Sequence, residues 1–426
     1  MPRIVPRQWV VNEETLTGKH RTRRCDYDAF VPDPLTGRTF TFSGTCAADI
    51  AEAETAIRGL HTNAVVLDRT DGLARLLLRA EAQASSRIEG VVIGAHKLLH
   101  AEAARKLDTG VEPDSLADEV LANIDAMNLA MELADIEQTV TIDTILRIHE
   151  RVLQVSDLKQ HAGKVRVGQS WIGGSAYNPC EAAFVPPPPE EVQALLEDLA
   201  SFCNDNSLPA VAHAAIAHAQ FETIHPFVDG NGRTGRAITH VMLRRRGLAP
   251  SWCPPVSLVL ATLKDDYIRA LDGFHSEAPP DSPEAIAGVD AWVSFFARAC
   301  TRSVQDAMLF EGRVSALQAD WRERMSPVRR GSSVDLLIEA LPRTVILSVN
   351  EAAKILGRSF TAANAAIEEL VKAKILRQVS IGKRNRAFEA PEVIAAFTQL
   401  ERRLASPAGD THVAAPVRPV PWRRRK

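Results

Sequence analysis

One run of twelve residues constrains this chain more than any other, the sequence HPFVDGNGRTGR at positions 225–236. It combines an imidazole and a carboxylate with three glycines, an asparagine and two arginines, a mixture for which a folded core has no use. Glycines let consecutive backbone N–H groups turn toward one anion, and arginines offer forked donors for phosphate oxygens. A single aspartate suits Mg²⁺, and a histidine can act as a base near neutral pH. The run therefore predicts phosphate chemistry.

The segments on both sides of this run have helical patterns. A stripe of buried-type positions leads from Ala210 to His225, and Pro226 disfavours helix at His225, so we expect the imidazole to project from a helix end. A second helix follows the glycines and continues to Gly247. The glycines therefore open a helix N-terminus, which is a ready anion site.

Other motif readings fit less well. Residues 230–235 match G-x-G-x-x-G literally, but a dinucleotide fingerprint needs a strand before it and an acidic residue about 20 residues later. The chain contains no G-x-x-x-x-G-K-[ST] sequence. His213 and His218 are five positions apart, which is not a zinc spacing, and we expect His218 to be a hydrogen-bonded core histidine.

Composition bounds the remaining possibilities. A length of 426 residues predicts two or three domains, and abundant Ala and Leu with 5% aromatics favour helices. A net charge of −3 argues against a chain devoted to nucleic acid. The N-terminus has no apolar leader and no run spans a membrane, so we expect a cytoplasmic protein without membrane contact. Six cysteines without a C-x-x-C pair are then expected to be reduced thiols: Cys25, Cys46, Cys180, Cys203, Cys253 and Cys300.

A strong helical pattern covers residues 71–89, with Gly90 as its expected end. An alternative is open here, because Ser86-x-x-Glu89 is a capping-box pattern that could begin a new helix. If the helix runs through the serines, Glu89 lies at its C-terminal end, where the helix dipole disfavours an anion by about 0.3–1 kcal/mol. A charged residue placed against the helix dipole in this way is an indication of a functional role.

Residues 161–189 are rich in Gly and Pro and contain short β-prone pieces. We interpret them as a hairpin or extended flap beside the site, with an ordinary surface loop as the alternative. Upstream, residues 1–45 are predicted to be extended chain or turns, and residues 91–160 to be helical.

Residues 330–404 are expected to form a separate winged helix, from a helix–turn–helix pattern followed by a short hairpin. The unit is only weakly basic, with 11 Lys and Arg against 8 Asp and Glu over residues 331–404. DNA binding and protein docking therefore stay about equally open. The candidate DNA contacts are Arg358, Lys383, Arg384 and Arg386. The tail at 405–426 is expected to be disordered.

The run at 225–236 resembles the signature of the Fic family, H-P-F-x-D-G-N-G-R-x-G-R, at all ten fixed positions. His218 and Phe221 before it, Gly163-x-x-Arg166, and the segments around Tyr27 and Phe184 are similar to the family as well. The resemblance covers residues 25–310 and implies a mainly α fold. This fold is a Fic-type helical core with a small β-hairpin flap, followed here by the C-terminal winged helix-turn-helix domain.

The resemblance further implies a protein adenylyltransferase that moves AMP from ATP to a Ser, Thr or Tyr hydroxyl. His225 would take the hydroxyl proton, and Asp229 would hold Mg²⁺. Arg233 would hold the β-phosphate side and Arg236 the γ-phosphate. The remaining phosphate contacts would come from Gly230, Asn231, Gly232 and Gly235. The flap would hold the target as an added strand, through Gly173, Gly174, Ser175 and Ala176.

Ser85-x-x-x-Glu89-Gly90 matches the family's inhibitory motif [S/T]-x-x-x-E-[G/N]. The resemblance implies that Glu89 pairs with Arg236 and blocks productive seating of the γ-phosphate. The same glutamate serves removal of AMP in some members, so the direction of the reaction stays open.

The expected organisation has four parts. An N-terminal segment (1–110) carries the inhibitory helix at about 71–90, and the catalytic core (111–325), winged helix and tail follow. Expected partners are a protein substrate, which includes the chain itself, with DNA and a homodimer left open. The rival hypothesis is a DNA-binding transcriptional regulator with a nucleotide-sensing core, which would need no base at His225.

Overall fold

The computed structural model describes residues 1–10, 24–63, 71–107, 114–381 and 385–404, and only the backbone of residues 61–63, 71–73, 385 and 401–404. Helices dominate the described chain, so the predicted mainly α fold is confirmed. The helices of the first three quarters are α1 (Gly44–Asn63), α2 (Asp71–Ile88), α3 (Ala95–Lys106), α4 (Ser115–Ile136), α5 (Ile142–Leu153), α6 (Pro189–Phe202), α7 (Ala210–Ile224), α8 (Asn231–Arg245), α9 (Val256–Thr262), α10 (Lys264–Phe274) and α11 (Pro283–Arg324).

The chain divides into two compact units, and neither is continuous in sequence. The first contains residues 1–54, 125–248 and 265–298, and the second contains residues 55–124, 249–264 and 299–426. The domain boundaries expected from the sequence stay predictions.

The first unit is built around α7, whose side chains are buried on all faces except at Glu222. A helix that is apolar around its whole circumference must be enclosed by other elements, and α6 and α8 both pack against it. Trp292 of α11 is fully buried and donates its indole N–H to the Ala215 carbonyl of α7 at 2.7 Å.

A β-hairpin precedes the helices of this unit. Strand β1 (Arg3–Trp9) pairs antiparallel with β2 (Cys25–Val31), from Arg3 opposite Val31 to Trp9 opposite Cys25. The sequence predicted extended chain or turns around β2 but no pairing, since the partner strand lacks a regular apolar alternation.

The predicted hairpin at 161–189 is reduced to one antiparallel bridge between Ile172 and Phe184. Gly173 and Gly174 form the turn after Ile172 with positive φ values of 76° and 71°, and a Cβ on Gly174 would lie 2.4 Å from the Glu181 carbonyl oxygen. Single turns of 3-10 helix occur at Lys159–His161 and Pro179–Glu181. The flap is therefore an irregular loop that is held together by hydrogen bonds.

A disulfide joins Cys25 of β2 to Cys180 of the flap. The expectation that all six cysteines are reduced thiols is therefore wrong for this pair. The other four cysteines are buried and form no disulfide with another described residue: Cys46, Cys203, Cys253 and Cys300.

In the second unit, α2 continues through the serines to Ile88, and Gly90 follows with φ of 89°. Ser86 donates its hydroxyl to the Ala82 carbonyl one turn earlier, so it does not cap a new helix, and the uninterrupted helix expected over 71–89 is confirmed. Asn123 donates to the same carbonyl at 2.7 Å and to the Ser86 hydroxyl.

The C-terminal part of the second unit contains α12 (Ser333–Ala340), α13 (Val349–Leu356), α14 (Phe360–Lys372) and α15 (Pro391–Leu404). Its strands β3 (Ile346–Leu347), β4 (Arg377–Ile381) and β5 (Asn385–Glu389) form an antiparallel sheet in the order β3-β5-β4. Ser348 and Glu351 form a capping box, and Gly357 ends α13 in the left-handed conformation. Helices α12 to α14 and the β4–β5 hairpin occur where the sequence predicted them, whereas β3 and α15 were not predicted. The assignment as a winged helix stays a prediction.

Within the described ranges, no helix combines the length and the apolarity that crossing a bilayer requires. The tail at 405–426 lies outside the described residues.

Candidate active site

The run at 225–236 begins where α7 ends. His225 has φ of 46° and ψ of 61°, the left-handed conformation that non-glycine residues rarely adopt. Its N–H still donates to the Phe221 carbonyl at 3.0 Å. The chain therefore leaves the helix axis at His225, as Pro226 predicted, and the half-buried imidazole lies at the helix end.

The loop closes on α8 through the Asn231 side chain. The Phe227 N–H donates to Asn231 Oδ1 at 2.9 Å, and Asn231 Nδ2 donates to the Phe227 carbonyl at 2.9 Å. Gly230 precedes the helix with φ of 80°. This geometry turns the first amides of α8 into an open helix N-terminus.

His149 of α5 contacts the loop between α7 and α8. This residue was not identified from the sequence. Its ring stacks on Phe227 with centroids 3.6 Å apart. Gly163 N–H donates to Nδ1 at 3.1 Å, so Nε2 carries the proton that is donated to the Asp229 carbonyl at 3.0 Å. Burial lowers the pKa of His149 to about 4, which keeps the ring neutral, as these two hydrogen bonds require.

Arg166 holds the other side of the loop. Its guanidinium donates to four backbone carbonyls, those of His225, Gly168, Pro187 and Ile224. The side chain is buried, and this burial lowers its pKa to about 10. A buried cation can be held by several carbonyl dipoles in place of a carboxylate. Arg166 thus links the flap to the loop that begins at His225.

Arg233 lies in the first turn of α8 and is 3% exposed. Its Nη2 lies 3.2 Å from Asp229 Oδ2. Among the described residues, its Nε and Nη1 have no hydrogen-bond partner. Buried N–H groups without a partner are costly, so two of them at a helix N-terminus are suited to an anion.

Gly235 has a packing role. A Cβ at this position would lie 2.7 Å from Glu222 Oε1, 2.8 Å from Phe221 Cδ1 and 3.1 Å from His218 Nδ1. The missing side chain lets α8 approach α7 closely. His218 is the core histidine that we expected: it is 1% exposed, and its Nε2 lies 2.8 Å from the Tyr267 hydroxyl.

Two family models match the chain: "Fic/DOC family" over residues 139–243 and "Fic/DOC family N-terminal" over residues 47–132. These two regions of the chain belong to the Fic/DOC family.

Curated relatives of this Fic chain are similar over part of their length. "Protein adenylyltransferase fic-1" of Caenorhabditis briggsae is 37% identical over 131 residues, which cover 30% of this chain and 23% of that protein. "Protein adenylyltransferase Fic" of Drosophila mojavensis is 32% identical over 183 residues, 41% of this chain and 34% of that protein. The Fic chain therefore spans about a third or less of the length of these two relatives.

A solved structure shares the fold. The crystal structure of a Fic family protein from Desulfovibrio desulfuricans G20 aligns with a TM-score of 0.51 at 23% identity, covering 82% of this chain and 97% of that chain.

The remaining predicted residues of this Fic chain lie partly in the run at 225–236 and partly elsewhere in the sequence. In the first unit, Gly173, Gly174 and Ala176 of the flap are exposed, and Ser175 accepts a hydrogen bond from the Trp171 indole at 2.7 Å. Gly232 lies in the first turn of α8, and Arg236 lies in the second turn and is 3% exposed. In the second unit, Ser85 is fully buried in α2, and Glu89 is exposed just after it. The pairing of Glu89 with Arg236 stays a hypothesis.

The candidate DNA contacts have different surroundings. Arg358 is exposed after the Gly357 turn. Arg386 lies over the Phe388 ring at 5.0 Å and donates to Gln378 at 3.0 Å, so its guanidinium is engaged within the hairpin. Lys383 and Arg384 lie outside the described residues.

Proposed function

We propose that this Fic chain is a protein adenylyltransferase that moves AMP from ATP to a Ser, Thr or Tyr hydroxyl of a protein. One observation carries the proposal: the buried Arg233 presents two N–H groups without a partner in the described structure, at the N-terminus of α8, beside the Asp229 carboxylate. Curated relatives named as protein adenylyltransferases support it.

In this proposal, His225 takes the proton of the attacking hydroxyl. The hydroxyl oxygen then forms a bond to the α-phosphorus of ATP, and the bond from that phosphorus to the diphosphate oxygen breaks. Diphosphate leaves, and AMP stays on the target. The protein contributes positioning and charge stabilisation more than covalent chemistry.

The phosphates would lie on the N-terminal amides of α8, which the left-handed Gly230 opens. Arg233 would receive the β-phosphate side on its Nε and Nη1, and Arg236 would receive the γ-phosphate. Asn231, whose side chain holds Phe227, would contribute its backbone amide and the second Nδ2 proton.

Mg²⁺ fits the carboxylate of Asp229. This side chain is 48% exposed, and its contact with Arg233 uses Oδ2. The ion, when bound, would neutralise charge on the phosphates that Asp229 helps to orient.

We further propose that Glu89 inhibits the enzyme by engaging Arg236, so that the γ-phosphate cannot seat productively. The support is the motif Ser85-x-x-x-Glu89-Gly90 at the end of α2. Lys264 donates to the Ile88 carbonyl at 2.7 Å and so satisfies a backbone acceptor at the helix end next to this glutamate.

In the same proposal, a target peptide pairs with the flap near Gly173 and Ala176.

The test is incubation with ATP labelled on the α-phosphate, comparing wild type, Glu89→Gly and the double variant Glu89→Gly/His225→Ala. We expect label transfer to the chain or a target to rise roughly tenfold or more in Glu89→Gly, the factor that about 1.4 kcal/mol of competing interaction represents. The double variant should lose the label.

The matched control is Glu323→Gly, which removes another exposed glutamate at a helix end, in the last turn of α11. Label that rises equally in Glu323→Gly would contradict inhibition by Glu89. Label that persists after His225→Ala would contradict the role of the base. Hydrolytic release of AMP from a labelled target by the wild type, lost in Glu89→Gly, would instead assign Glu89 to the removal of AMP.

The rival function is that of a DNA-binding transcriptional regulator, and the helix pair α13–α14 with the β4–β5 hairpin is the observation that favours it. A gel shift with DNA and no label transfer in any variant would support it. A regulator of this kind could bind DNA as a homodimer, and light scattering measures whether the chain forms one.

A cytoplasmic location is also part of the proposal. The Cys25–Cys180 disulfide weighs against it, because reducing compartments keep thiols reduced. Alkylation of free thiols at cell lysis measures whether Cys25 and Cys180 are oxidised in the cell. An oxidised pair would contradict the cytoplasmic location.

A further inference from the structure

Three metal-ligating side chains converge in the second unit, apart from the residues assigned to adenylyl transfer. His96 and His100 are one turn apart on α3, and their rings stack with centroids 4.2 Å apart. Glu389 ends β5 and has no exposed surface. One ligand atom from each of the three lies within 4.8 Å of the other two.

The Glu389 carboxylate is divided between two sets of neighbours. Arg377 of β4 contacts Oε1 through its Nε at 2.9 Å and also through Nη2. Oε2 instead faces the histidines, at 2.8 Å from His100 Nε2 and 3.5 Å from His96 Nε2. The arginine thus orients the carboxylate so that one oxygen and two imidazole nitrogens meet at one point.

These separations agree with the edges of a metal coordination sphere. Zinc binds imidazole nitrogen and carboxylate oxygen at about 2.0–2.2 Å, so two ligand atoms on a tetrahedral ion are roughly 3.3–3.5 Å apart. The 3.5 Å separation from His96 lies in this range, whereas the 2.8 Å separation from His100 is that of a hydrogen bond and would widen by about 0.5 Å when the ion replaces the shared proton. Two histidines at i and i+4 on one helix face, with one carboxylate, are a ligand set that zinc uses elsewhere.

We propose that His96, His100 and Glu389 bind one Zn²⁺ ion, with water in the fourth position. Access is provided by His96, whose side chain is 56% exposed. The three ligands come from α3 and from the end of β5, so the ion would fasten α3 to the C-terminal sheet. Since α3 directly follows α2 in the chain, the site would also restrain the segment that follows Glu89.

The test uses the full chain without an affinity tag, stripped with a chelator and titrated with Zn²⁺ against a chromophoric competitor. We expect one ion per chain, and at least a tenfold lower affinity in each of His96→Ala and His100→Ala. The control is His161→Ala, which removes a half-buried histidine of the first unit and should leave the affinity unchanged.

A second measurement keeps the proposal testable if a variant folds poorly. Co²⁺ added to the stripped wild type should produce the intense visible absorption of a tetrahedral site, and Zn²⁺ should displace it. Excess Zn²⁺ should raise the Tm of the wild type and of His161→Ala, but not of His100→Ala. Absence of stoichiometric binding, or equal affinity in His96→Ala, His100→Ala and wild type, would overturn the proposal and leave a hydrogen-bonded His–Glu cluster only.

Discussion

Asn231 and Phe227 exchange two hydrogen bonds across the catalytic loop, each of 2.9 Å, between the Asn231 carboxamide and the Phe227 backbone. Both residues are buried. The pair closes the turn between His225 and α8 through contacts within the chain. Such a fixed turn would save ordering entropy in the nucleotide binding that we propose.

Substitution of Asn231 should destabilise the protein. Asn231→Ala leaves a buried N–H and a buried carbonyl of Phe227 without partners, each at a cost of about 1–3 kcal/mol. We expect urea unfolding to show a loss in this range. The control is Asn364→Ala, whose carboxamide donates to the exposed Glu368 side chain at the surface of α14 and which should change stability by less than about 0.5 kcal/mol. Equal effects of the two substitutions would argue against the loop role.

Gly235 and Gly312 should respond oppositely to alanine. At Gly235 the new methyl group would meet Phe221 and His218, which are buried and cannot move away, so we expect a loss of about 1–3 kcal/mol. At Gly312 of α11 nothing lies within 4 Å, so Gly312→Ala should stabilise the helix by about 0.5–1 kcal/mol. Thermal unfolding measures both, and a stable Gly235→Ala variant would refute the close α7–α8 approach.

Arg166→Lys should destabilise the loop although it keeps the positive charge. A single ammonium cannot reach all the carbonyls that the guanidinium fork reaches, and unpaired buried carbonyls cost about 1–3 kcal/mol each. We expect a lower urea midpoint and faster proteolysis of the flap. Arg298→Lys is the control, since Arg298 is exposed and pairs with Asp49 at the surface. A loss of the same size there would remove the special role of Arg166.

His275→Phe should make stability less sensitive to acid. Burial lowers the pKa of His275 to about 4, so the fold favours the neutral ring. Its contribution to stability is present above the unfolded pKa near 6.5 and is lost as the pH falls toward 4. The ring stacks on Phe184 with centroids 4.4 Å apart, and its Nε2 has no hydrogen-bond partner in the described part of the chain, so phenylalanine fits the site.

We measure the free energy of unfolding of wild type and His275→Phe from pH 7 to 4. Between pH 6 and 4 the slope of the variant should be shallower by up to about 1.4 kcal/mol per pH unit. Parallel curves would show that folding does not lower the pKa of His275. His149 and His218 keep their lowered pKa values in both proteins, so some acid sensitivity should remain.

Elements that depend on neighbours in sequence were predictable. Pro226 predicted the end of α7 at His225, and the glycines predicted the start of α8, because proline and glycine act on their own dihedrals and those of the adjacent residue. The helix over 71–89 and the β4–β5 hairpin followed from apolar period, caps and turn residues in the same way.

Elements that depend on partners distant in sequence were not predictable. Strand β1 has too little apolar alternation to be recognised without β2 beside it. The disulfide joins residues 155 positions apart, and the prediction of reduced thiols was wrong because no local signal marks such a pair. The flap kept only one of the expected strand contacts, since its prolines withhold backbone donors.

The sequence by itself determined the chemistry of this protein: which side chains carry charge, which residues bend the backbone, and which family the run at 225–236 belongs to. Only the tertiary structure decided which distant residues support that run. Arg166 and His149 lie 59 and 80 positions from the backbone atoms that they hold, and His100 lies 289 positions from Glu389. The reason is physical: backbone dihedral preferences act between adjacent residues, whereas burial and hydrogen-bond satisfaction are met by whichever partner the packed chain brings near.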